Sequence, residues 1–310
     1  MRTAFIEELL AQAGQNPRLF LIVGDLGYSV VETFAAEFPQ RFLNAGVAEQ
    51  NMTGVAAGLS SEGFHVFTYS IANFPTFRCL EQIRNDIAYH ELPVTVVAVG
   101  GGMSYGNLGY SHHAVQDYAA LRCLPQMLIA APGDPLETRA VVEWLAAHPQ
   151  PSYLRLGKAG EPTLHSARPA LTPGHLVPVF GEAQSGTFVT TGATLRYAME
   201  AARHPDLAGR WAVHSLPLWG ECCKADVACE LERFPAIIAV EDHLAAGGFG
   251  SYLREAVGAR PDTEARLHTI ALSPAACGMV GRQDSLNAAG GLTVQALVEA
   301  ATGGGRSPAG

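Results

Sequence analysis

The amino-acid sequence predicts an α/β protein with two doubly wound domains, each built around a largely parallel sheet. Short apolar runs that suit buried strands alternate along the chain with longer segments of helical apolar spacing. A stretch rich in proline and glycine, without any periodicity, interrupts this alternation at residues 161–178. We therefore predict a first domain over residues 1–160, a linker over 161–178 and a second domain over 179–302.

In the first half, β-branched and apolar runs at 19–23 and 94–99 predict strands, and each run is followed by a glycine-containing loop. Helical spacing at 3–13 and 135–147 predicts helices between strands. A segment rich in alanine and glycine at 51–61 predicts a closely packed helix. The alternation indicates a parallel sheet that is covered on both faces.

The same signals return in the second half. Strands are expected at 187–191, 210–216, 236–240 and 267–271, and helices at 195–203, 225–233 and 293–302. Residues 303–310 are rich in glycine and are expected to be a disordered tail.

Composition narrows the class of protein. The 310 residues are 48% hydrophobic and 16% charged, with a net charge of -9, which argues against nucleic acid or an anionic membrane as the main partner. No apolar run is long enough to span a bilayer, and acidic residues near the N-terminus are unlike a signal peptide. Six cysteines without a CxxC pair indicate reduced thiols, so a cytoplasmic protein is expected.

Glu49 is the most informative single residue. It stands between a loop of small residues and the predicted alanine- and glycine-rich helix. Such surroundings would desolvate a carboxylate and make its protonation matter for chemistry. A glutamate at the start of a helix also simply complements the helix dipole, and the residue alone does not separate the two interpretations.

The wider pattern resembles a family. The run Gly-Val-Ala-Glu-Gln-Asn-Met at 46–52, with Gly-Val-Ala-Ala-Gly-Leu at 54–59, is similar to the pyrimidine-domain signature of transketolases and deoxyxylulose-phosphate synthases. The segments at 24–27, 69–84, 108–113, 130–135 and 151–156 agree in place and order, and 241–243 and 247–250 resemble the family's C-terminal domain. The resemblance implies a thiamine-pyrimidine-binding domain followed by a transketolase-type C-terminal domain.

The resemblance implies roles for several residues. Glu49 would be catalytic and would bind the cofactor, thiamine diphosphate, at the N1′ atom of its aminopyrimidine ring, so that proton sharing there prepares the ring for chemistry. Tyr69, Phe74 and Phe77 would form a flat apolar wall for that ring. Asp25 would contact the cofactor region or the partner.

The substrate side is implied in the same way. His112 occupies the position of the family's substrate-facing histidine and would be catalytic, by hydrogen-bonding the substrate or stabilising the intermediate; its neighbour His113 would also contact the substrate. Lys158 replaces the arginine that grips a sugar phosphate, with Arg155 close by; a lysine binds phosphate as a point charge and not as a bidentate fork. Gly100, Gly101 and Leu108 also depart from the family pattern, which points to altered, modified or nucleotide-linked sugar substrates.

A metal-binding signature is missing from this sequence. The family holds Mg²⁺ and the diphosphate through Gly-Asp-Gly and a later asparagine, and no Gly-Asp-Gly occurs here. We therefore expect a separate subunit, equivalent to the N-terminal half of a transketolase, to carry this motif. A heterotetramer of two large and two small halves is the expected assembly, with a sugar or sugar phosphate as substrate.

Other functions remain open. The β subunit of a thiamine-dependent α-keto acid dehydrogenase shares the Gly-x-Ala-Glu-Gln step and the two-domain layout, and a split deoxyxylulose-phosphate synthase is a further possibility. The chain could also be a non-catalytic regulatory subunit, which the intact Glu49 and His112 oppose. The run Glu241-Asp242-His243 has the composition of an acid/base cluster, but a loop at the end of a strand is the favoured interpretation.

Overall fold

The computed structural model describes residues 1–303; the predicted disordered tail, apart from Gly303, lies outside the described residues. Within these residues the chain forms two sheets flanked by helices. The strands are β1 Leu19–Val23, β2 Phe42–Asn44, β3 His65–Ile71, β4 Val94–Val99, β5 Leu128–Ala130, β6 Ser152–Leu156, β7 Val177–Phe180, β8 Gly186–Thr190, β9 Trp211–Ser215, β10 Leu218–Trp219, β11 Ile237–Leu244 and β12 Leu267–Leu272.

The helices alternate with the strands, as predicted. The α-helices are α1 Arg2–Gln15, α2 Glu32–Glu37, α3 Glu49–Ser61, α4 Asn73–Thr76, α5 Leu80–Gln82, α6 Asp117–Leu121, α7 Pro135–Ala147, α8 Leu195–Ala202, α9 Lys224–Glu232, α10 Phe249–Val257, α11 Pro261–Glu264, α12 Gln283–Ala289 and α13 Val294–Ala301. A π-helix at Ile83–Ala88 extends α5, and short 3₁₀ helices include Phe77–Cys79, Gly106–Leu108 and Tyr110–His112.

The first sheet has the strand order β10-β5-β6-β4-β3-β1-β2. All of its neighbouring strands are parallel except β10, which runs antiparallel to β5. Every residue of β1 and β4 is buried, because helices cover both faces of the sheet. The α/β prediction is confirmed here.

The second sheet has the order β12-β11-β8-β9-β7, in which only β7 is antiparallel to its neighbour. Strand β7 begins at Val177, inside the segment that the sequence assigned to the linker. Its Pro178 cannot donate a backbone hydrogen bond, which suits an edge strand and weakens the sequence signal.

Two further features differ from the sequence prediction. Strand β10 belongs to the second half of the chain but completes the first sheet by pairing with β5. Glu241, Asp242 and His243 lie buried within β11 and not in an exposed loop, so that interpretation is wrong. No helix within residues 1–303 is long and apolar enough to cross a bilayer.

Candidate active site

The predicted site residues of the first domain gather where its parallel strands end. The loops that follow the carboxyl ends of such strands meet at one edge of the sheet, which is the usual place for a ligand in α/β folds. Asp25 follows β1, Glu49 follows β2, and Phe74 follows β3. The loop after β4 carries His112 and His113.

Glu49 is the first residue of α3 and is only 1% exposed. Its Oε2 atom accepts a hydrogen bond from Nη1 of Arg78 at 2.7 Å. Its Oε1 atom is buried and has no hydrogen-bond partner within residues 1–303. A buried carboxylate oxygen without a donor is costly, so this atom is ready to bind a ligand donor.

A cavity of about 620 Å³, here called the aromatic cavity, lies in front of Arg78. Phe74 and Phe77 line it together with His113, Asn73 and Tyr110. Phe77 is 41% exposed, so a ligand or a partner can reach its ring. The predicted Phe74–Phe77 pair therefore does face one open space.

The loop with the two histidines is held in place by Asn73, whose side-chain amide donates to the carbonyls of Ser111 at 3.0 Å and His113 at 2.9 Å. The imidazole of His112 lies edge-on to Phe74, with ring centroids 5.2 Å apart, and its Nδ1 is 3.0 Å from Oγ of Ser111.

The two imidazoles differ in exposure but not in the direction of their pKa shifts. His113 is 1% exposed, and neither of its ring nitrogens makes a hydrogen bond of ordinary geometry within residues 1–303. Burial lowers the pKa of both histidines, and for His112 the neighbouring His113 lowers it further. Both rings are therefore neutral near pH 7 and can accept a proton.

Tyr69 lies apart from Phe74 and Phe77. It is 2% exposed in β3, it stacks on Phe5, and burial raises its pKa to about 12. It lines a second space of about 200 Å³, here called the tyrosine cavity, beside Arg2 and Tyr105. The structure thus separates Tyr69 from the aromatic wall that the sequence suggested.

Lys158 is exposed at the rim of this second region. Its Nζ atom lies 4.8 Å from the ring centroid of Tyr105, a cation–π contact. The ring of Tyr105 is 6.3 Å from that of His112, so Tyr105 connects the predicted phosphate-binding lysine with the histidine loop.

Asp25 has a left-handed backbone conformation, with φ of 54°. Its carboxylate accepts from the side-chain amide of Asn44 at 3.0 Å, and its backbone N–H donates to Asn44 Oδ1 at 3.1 Å. Asn44 Oδ1 also accepts from Gly46 N–H. Asp25 therefore ties the loops after β1 and β2 together at the rim of the sheet.

Arg155 does not lie where a substrate could reach it, which corrects the sequence prediction. It is 3% exposed and forms ion pairs with Asp117 at 2.7 Å and Asp242 at 2.6 Å. A third nitrogen donates to the carbonyl of Ala114 at 2.8 Å. Its two remaining N–H groups face the hydroxyl of Tyr118 at 3.3 Å and the carbonyl of Asp242 at 3.5 Å. The five N–H donors of the guanidinium are thus all directed at protein acceptors and not at a sugar phosphate, and Arg155 instead joins the first domain to β11.

Sequence reasoning missed the residues that hold the site together. Arg78, Asn73 and Tyr105 act through contacts between segments distant in the chain, and neither periodicity nor motif spacing marks such contacts. A signal for Arg78 did exist: a lone cation directly follows Phe77, in the aromatic segment that the sequence singled out.

Comparison with known proteins agrees with this geometry. The sequence model of the family described as "Transketolase, pyrimidine binding domain" matches residues 1–160. One subunit of an apulose-4-phosphate transketolase from Phocaeicola vulgatus is 32% identical over 84% of this chain and 84% of its own length. A putative transketolase C-terminal section from Methanocaldococcus jannaschii is 32% identical over 83% of this chain and 81% of its own length.

A solved structure gives the same result for the whole fold. A split-gene transketolase, described as an inactive beta4 tetramer, superposes with a TM-score of 0.83 at 30% identity, covering 97% of this chain and 96% of the other. With the family match over the first domain and relatives that align along both halves, the chain belongs to the transketolase family.

Proposed function

We propose that this chain is the small-half subunit of a thiamine diphosphate-dependent transketolase, which transfers a two-carbon ketol unit between sugars and is active only with a diphosphate-binding partner subunit. The observation that carries the proposal is the buried Glu49 carboxylate: one oxygen has no partner among residues 1–303, and the other binds Arg78, which lines the aromatic cavity. Relatives named as a single subunit and as a C-terminal section of a transketolase support the two-chain arrangement.

The residues fit the pyrimidine half of the cofactor. An aminopyrimidine ring needs one acceptor for a ring N–H and a flat apolar surface, and Glu49 with Phe74 and Phe77 offers both. When bound, thiamine diphosphate supplies the electron sink that makes cleavage of a carbon–carbon bond next to a carbonyl possible. Glu49 would hold the proton at the ring nitrogen.

Substrate contacts fall to the histidine loop and to the tyrosine cavity. His112, and His113 beside it, would hydrogen-bond the sugar and exchange protons with its hydroxyl groups. Lys158 and Arg2 place two positive charges near the tyrosine cavity, which suits a phosphorylated end of the substrate. A relative named for apulose-4-phosphate is consistent with a sugar phosphate.

The partner would supply Mg²⁺ and the diphosphate site, because this sequence lacks the Gly-Asp-Gly signature. Asp25, at the rim of the site, would face that partner or the cofactor. A heterotetramer with two copies of each chain is the assembly that we expect. Exposed apolar side chains beside the site, Tyr28 and Val47, would be covered in it.

Two alternatives are less well supported. The relatives reported above carry transketolase names, which favours ketol transfer over an α-keto acid dehydrogenase β subunit. A purely regulatory chain would not need a buried carboxylate with one oxygen unpartnered among residues 1–303, next to an arginine that lines an open aromatic cavity.

The test is a two-carbon transfer assay with the purified chain, thiamine diphosphate and Mg²⁺, with and without the candidate large-half chain. We expect turnover only with both chains. Glu49→Gln should assemble normally but lose at least about a hundredfold in kcat, since the proton-holding group is gone. Full turnover by the Glu49→Gln enzyme, or turnover by this chain alone, would refute the proposal.

A further inference from the structure

We propose that Arg78 is a positioning residue for Glu49: it binds one carboxylate oxygen and thereby leaves the other free and aimed at the aminopyrimidine ring. The inference deepens the proposed function and rests on it. It concerns a residue to which neither the sequence pattern nor the likeness to other transketolases gave a role.

The contact between the two residues is direct. Arg78 Nη1 lies 2.7 Å from Glu49 Oε2, within the range of a charge-assisted hydrogen bond. The side chain of Arg78 is 45% exposed, and its guanidinium carbon lies 4.8 Å from the ring centroid of Phe74. Arg78 therefore reaches from the aromatic cavity, which it lines, to a carboxylate behind the cavity wall.

The stem of Glu49 is buried at the start of α3. The hydroxyl of Thr53 donates to the Glu49 carbonyl at 2.8 Å, which holds the first turn of α3. A Cβ atom at Gly24 would be in ordinary van der Waals contact with Cγ of Glu49, at 3.6 Å, so the loop after β1 lies beside the stem. The ion pair with Arg78 then sets the plane of the carboxylate.

This geometry gives the two carboxylate oxygens of Glu49 different roles. Oε2 is occupied by the guanidinium, while Oε1 is buried and has no partner among residues 1–303. Without the guanidinium, Oε2 would lack this donor as well, and in the absence of a ligand no ion pair would fix the plane of the carboxylate. Arg78 thus keeps the carboxylate of Glu49 oriented before any ligand arrives.

A second consequence concerns the ligand. The positive charge of Arg78 lies beside the Glu49 carboxylate, and it disfavours an additional proton on a ring nitrogen that this carboxylate binds. Other titratable groups lie nearby: the buried Cys79 thiol, whose pKa burial raises, and His112, which contacts Phe74. Removing only the Arg78 charge should therefore raise the pH at which the bound ring loses its proton.

The first test needs no cofactor. The unfolding of the isolated chain is measured in denaturant for the wild type, Arg78→Met, Glu49→Gln and the double variant. We expect Arg78→Met to raise the unfolding equilibrium constant about tenfold in the wild-type background and less than about threefold beside Glu49→Gln. Equal effects in the two backgrounds would overturn the inference.

Arg84→Met is the matched control. Arg84 lies in the π-helix Ile83–Ala88, which follows Arg78 in the chain, but its hydrogen bond goes to the neutral Asn85 side chain at 2.8 Å. Its replacement should have the same small effect in the wild-type background and beside Glu49→Gln. If the effect of Arg84→Met differs between the two backgrounds as much as that of Arg78→Met, the double-mutant cycle reports only a general loss of charge. That result would overturn the inference as well.

The second test uses the two-chain complex with thiamine diphosphate and Mg²⁺. The protonation state of the bound aminopyrimidine is followed by near-ultraviolet circular dichroism as a function of pH. Arg78→Met should raise the proton affinity of the ring about tenfold, while Arg78→Lys and Arg84→Met stay within about threefold of the wild type. If the bound ring titrates in Arg78→Met as it does in the wild type, the inference about Arg78 is overturned and the proposed function is not.

The two tests separate the possible failures. If the wild-type complex does not bind thiamine diphosphate, the proposed function fails and the role of Arg78 toward the ring fails with it. If the wild-type complex binds and titrates but Arg78→Met behaves like the wild type, the proposed function stands and only the positioning role is lost.

Discussion

At the scale of single residues, the site depends on side chains whose environments leave one atom unpaired. His112 is fixed through Nδ1 by Ser111, and its ring edge meets Phe74, so its Nε2 is the atom left for a substrate. Burial and His113 lower its pKa below the ordinary value for histidine. The neutral ring is therefore available as a base down to a pH below that value.

We predict that His112→Asn lowers kcat/KM of the two-chain enzyme by about a hundredfold, because a proton-transferring group is removed. In the wild type, kcat/KM should fall as the pH drops through the lowered pKa and the ring becomes charged. His112→Asn should lose this acidic limb. The measurement is a pH profile of kcat/KM.

The exposed His148, which stacks on Trp144, provides the control. His148→Asn should keep both the rate and the acidic limb. If His112→Asn keeps the limb and His113→Asn loses it, the proton-transferring role belongs to His113.

The sequence predicted some of these residues and not others. Glu49 could be placed because a helix start after small residues is visible in the sequence itself. Arg155 could not, because an arginine that pairs with Asp117 and Asp242 looks in sequence like one that grips a phosphate. Partners 38 and 87 residues away decide between the two interpretations.

At the scale of elements, β11 and α10 share a buried carboxyl group. Glu241 accepts hydrogen bonds from the backbone N–H groups of Phe249 at 2.6 Å and Gly250 at 3.0 Å, at the start of α10. Burial raises its pKa to about 8, against an ordinary value of 4.5, although these hydrogen bonds oppose the shift. The strand and the helix are thus joined through a group that stays protonated at neutral pH.

The sign of the pH dependence follows from this shift. Between pH 4.5 and about 8 the folded chain holds a proton on Glu241 that the unfolded chain has lost. The contribution of Glu241 to the free energy of unfolding therefore falls as the pH rises through this window. In Glu241→Gln, the decrease in the free energy of unfolding between pH 5 and 8 should be smaller than in the wild type by an amount on the order of 1–3 kcal/mol.

The measurement is denaturant unfolding at several pH values. The readout is the slope of the free energy of unfolding against pH and not its absolute value, because the Gln amide has only one acceptor oxygen and therefore also changes the stability itself. Glu182→Gln, at an exposed position, should leave the slope unchanged. A wild-type slope that survives Glu241→Gln would show that other groups set it.

Elements were predictable where they are long and periodic. The helix at 135–147 and the strands at 19–23 and 94–99 have the bounds that the sequence predicted. Strand β10 contains two residues, too few for any periodic signal, and it exists because β5 offers a free edge. The predicted strand at 236–240 continues to Leu244 because its charged residues find buried partners.

At the scale of the whole molecule, the two halves are bound together at more than a linker. Strand β10 lies in the first sheet, and Asp242 of β11 pairs with Arg155 of β6. The sequence boundary at 160 describes the order of the chain but not these contacts. They form only once both halves are folded, and local sequence patterns do not report them.

The Arg155 ion pairs give the last prediction. Arg155→Met removes the buried cation that Asp117 and Asp242 share and leaves both carboxylates without a compensating charge, although Asp117 still accepts from the hydroxyl of Tyr153 at 2.6 Å. We expect the free energy of unfolding to fall by about 3–5 kcal/mol. Arg139→Met, which breaks an ion pair with the exposed Glu7, should cost less than about 1 kcal/mol.

Two further measurements test the cause of the lost stability and its effect on the active site. The variant that also carries Asp117→Asn and Asp242→Asn should regain part of the loss, because no uncompensated charge remains. Arg155 also holds the carbonyl of Ala114, next to His113, so Arg155→Met should weaken substrate affinity even where the chain is still folded. If the variant is as stable as Arg139→Met, the two halves are held together by β10 and apolar packing alone, and the ion pairs contribute nothing to their union.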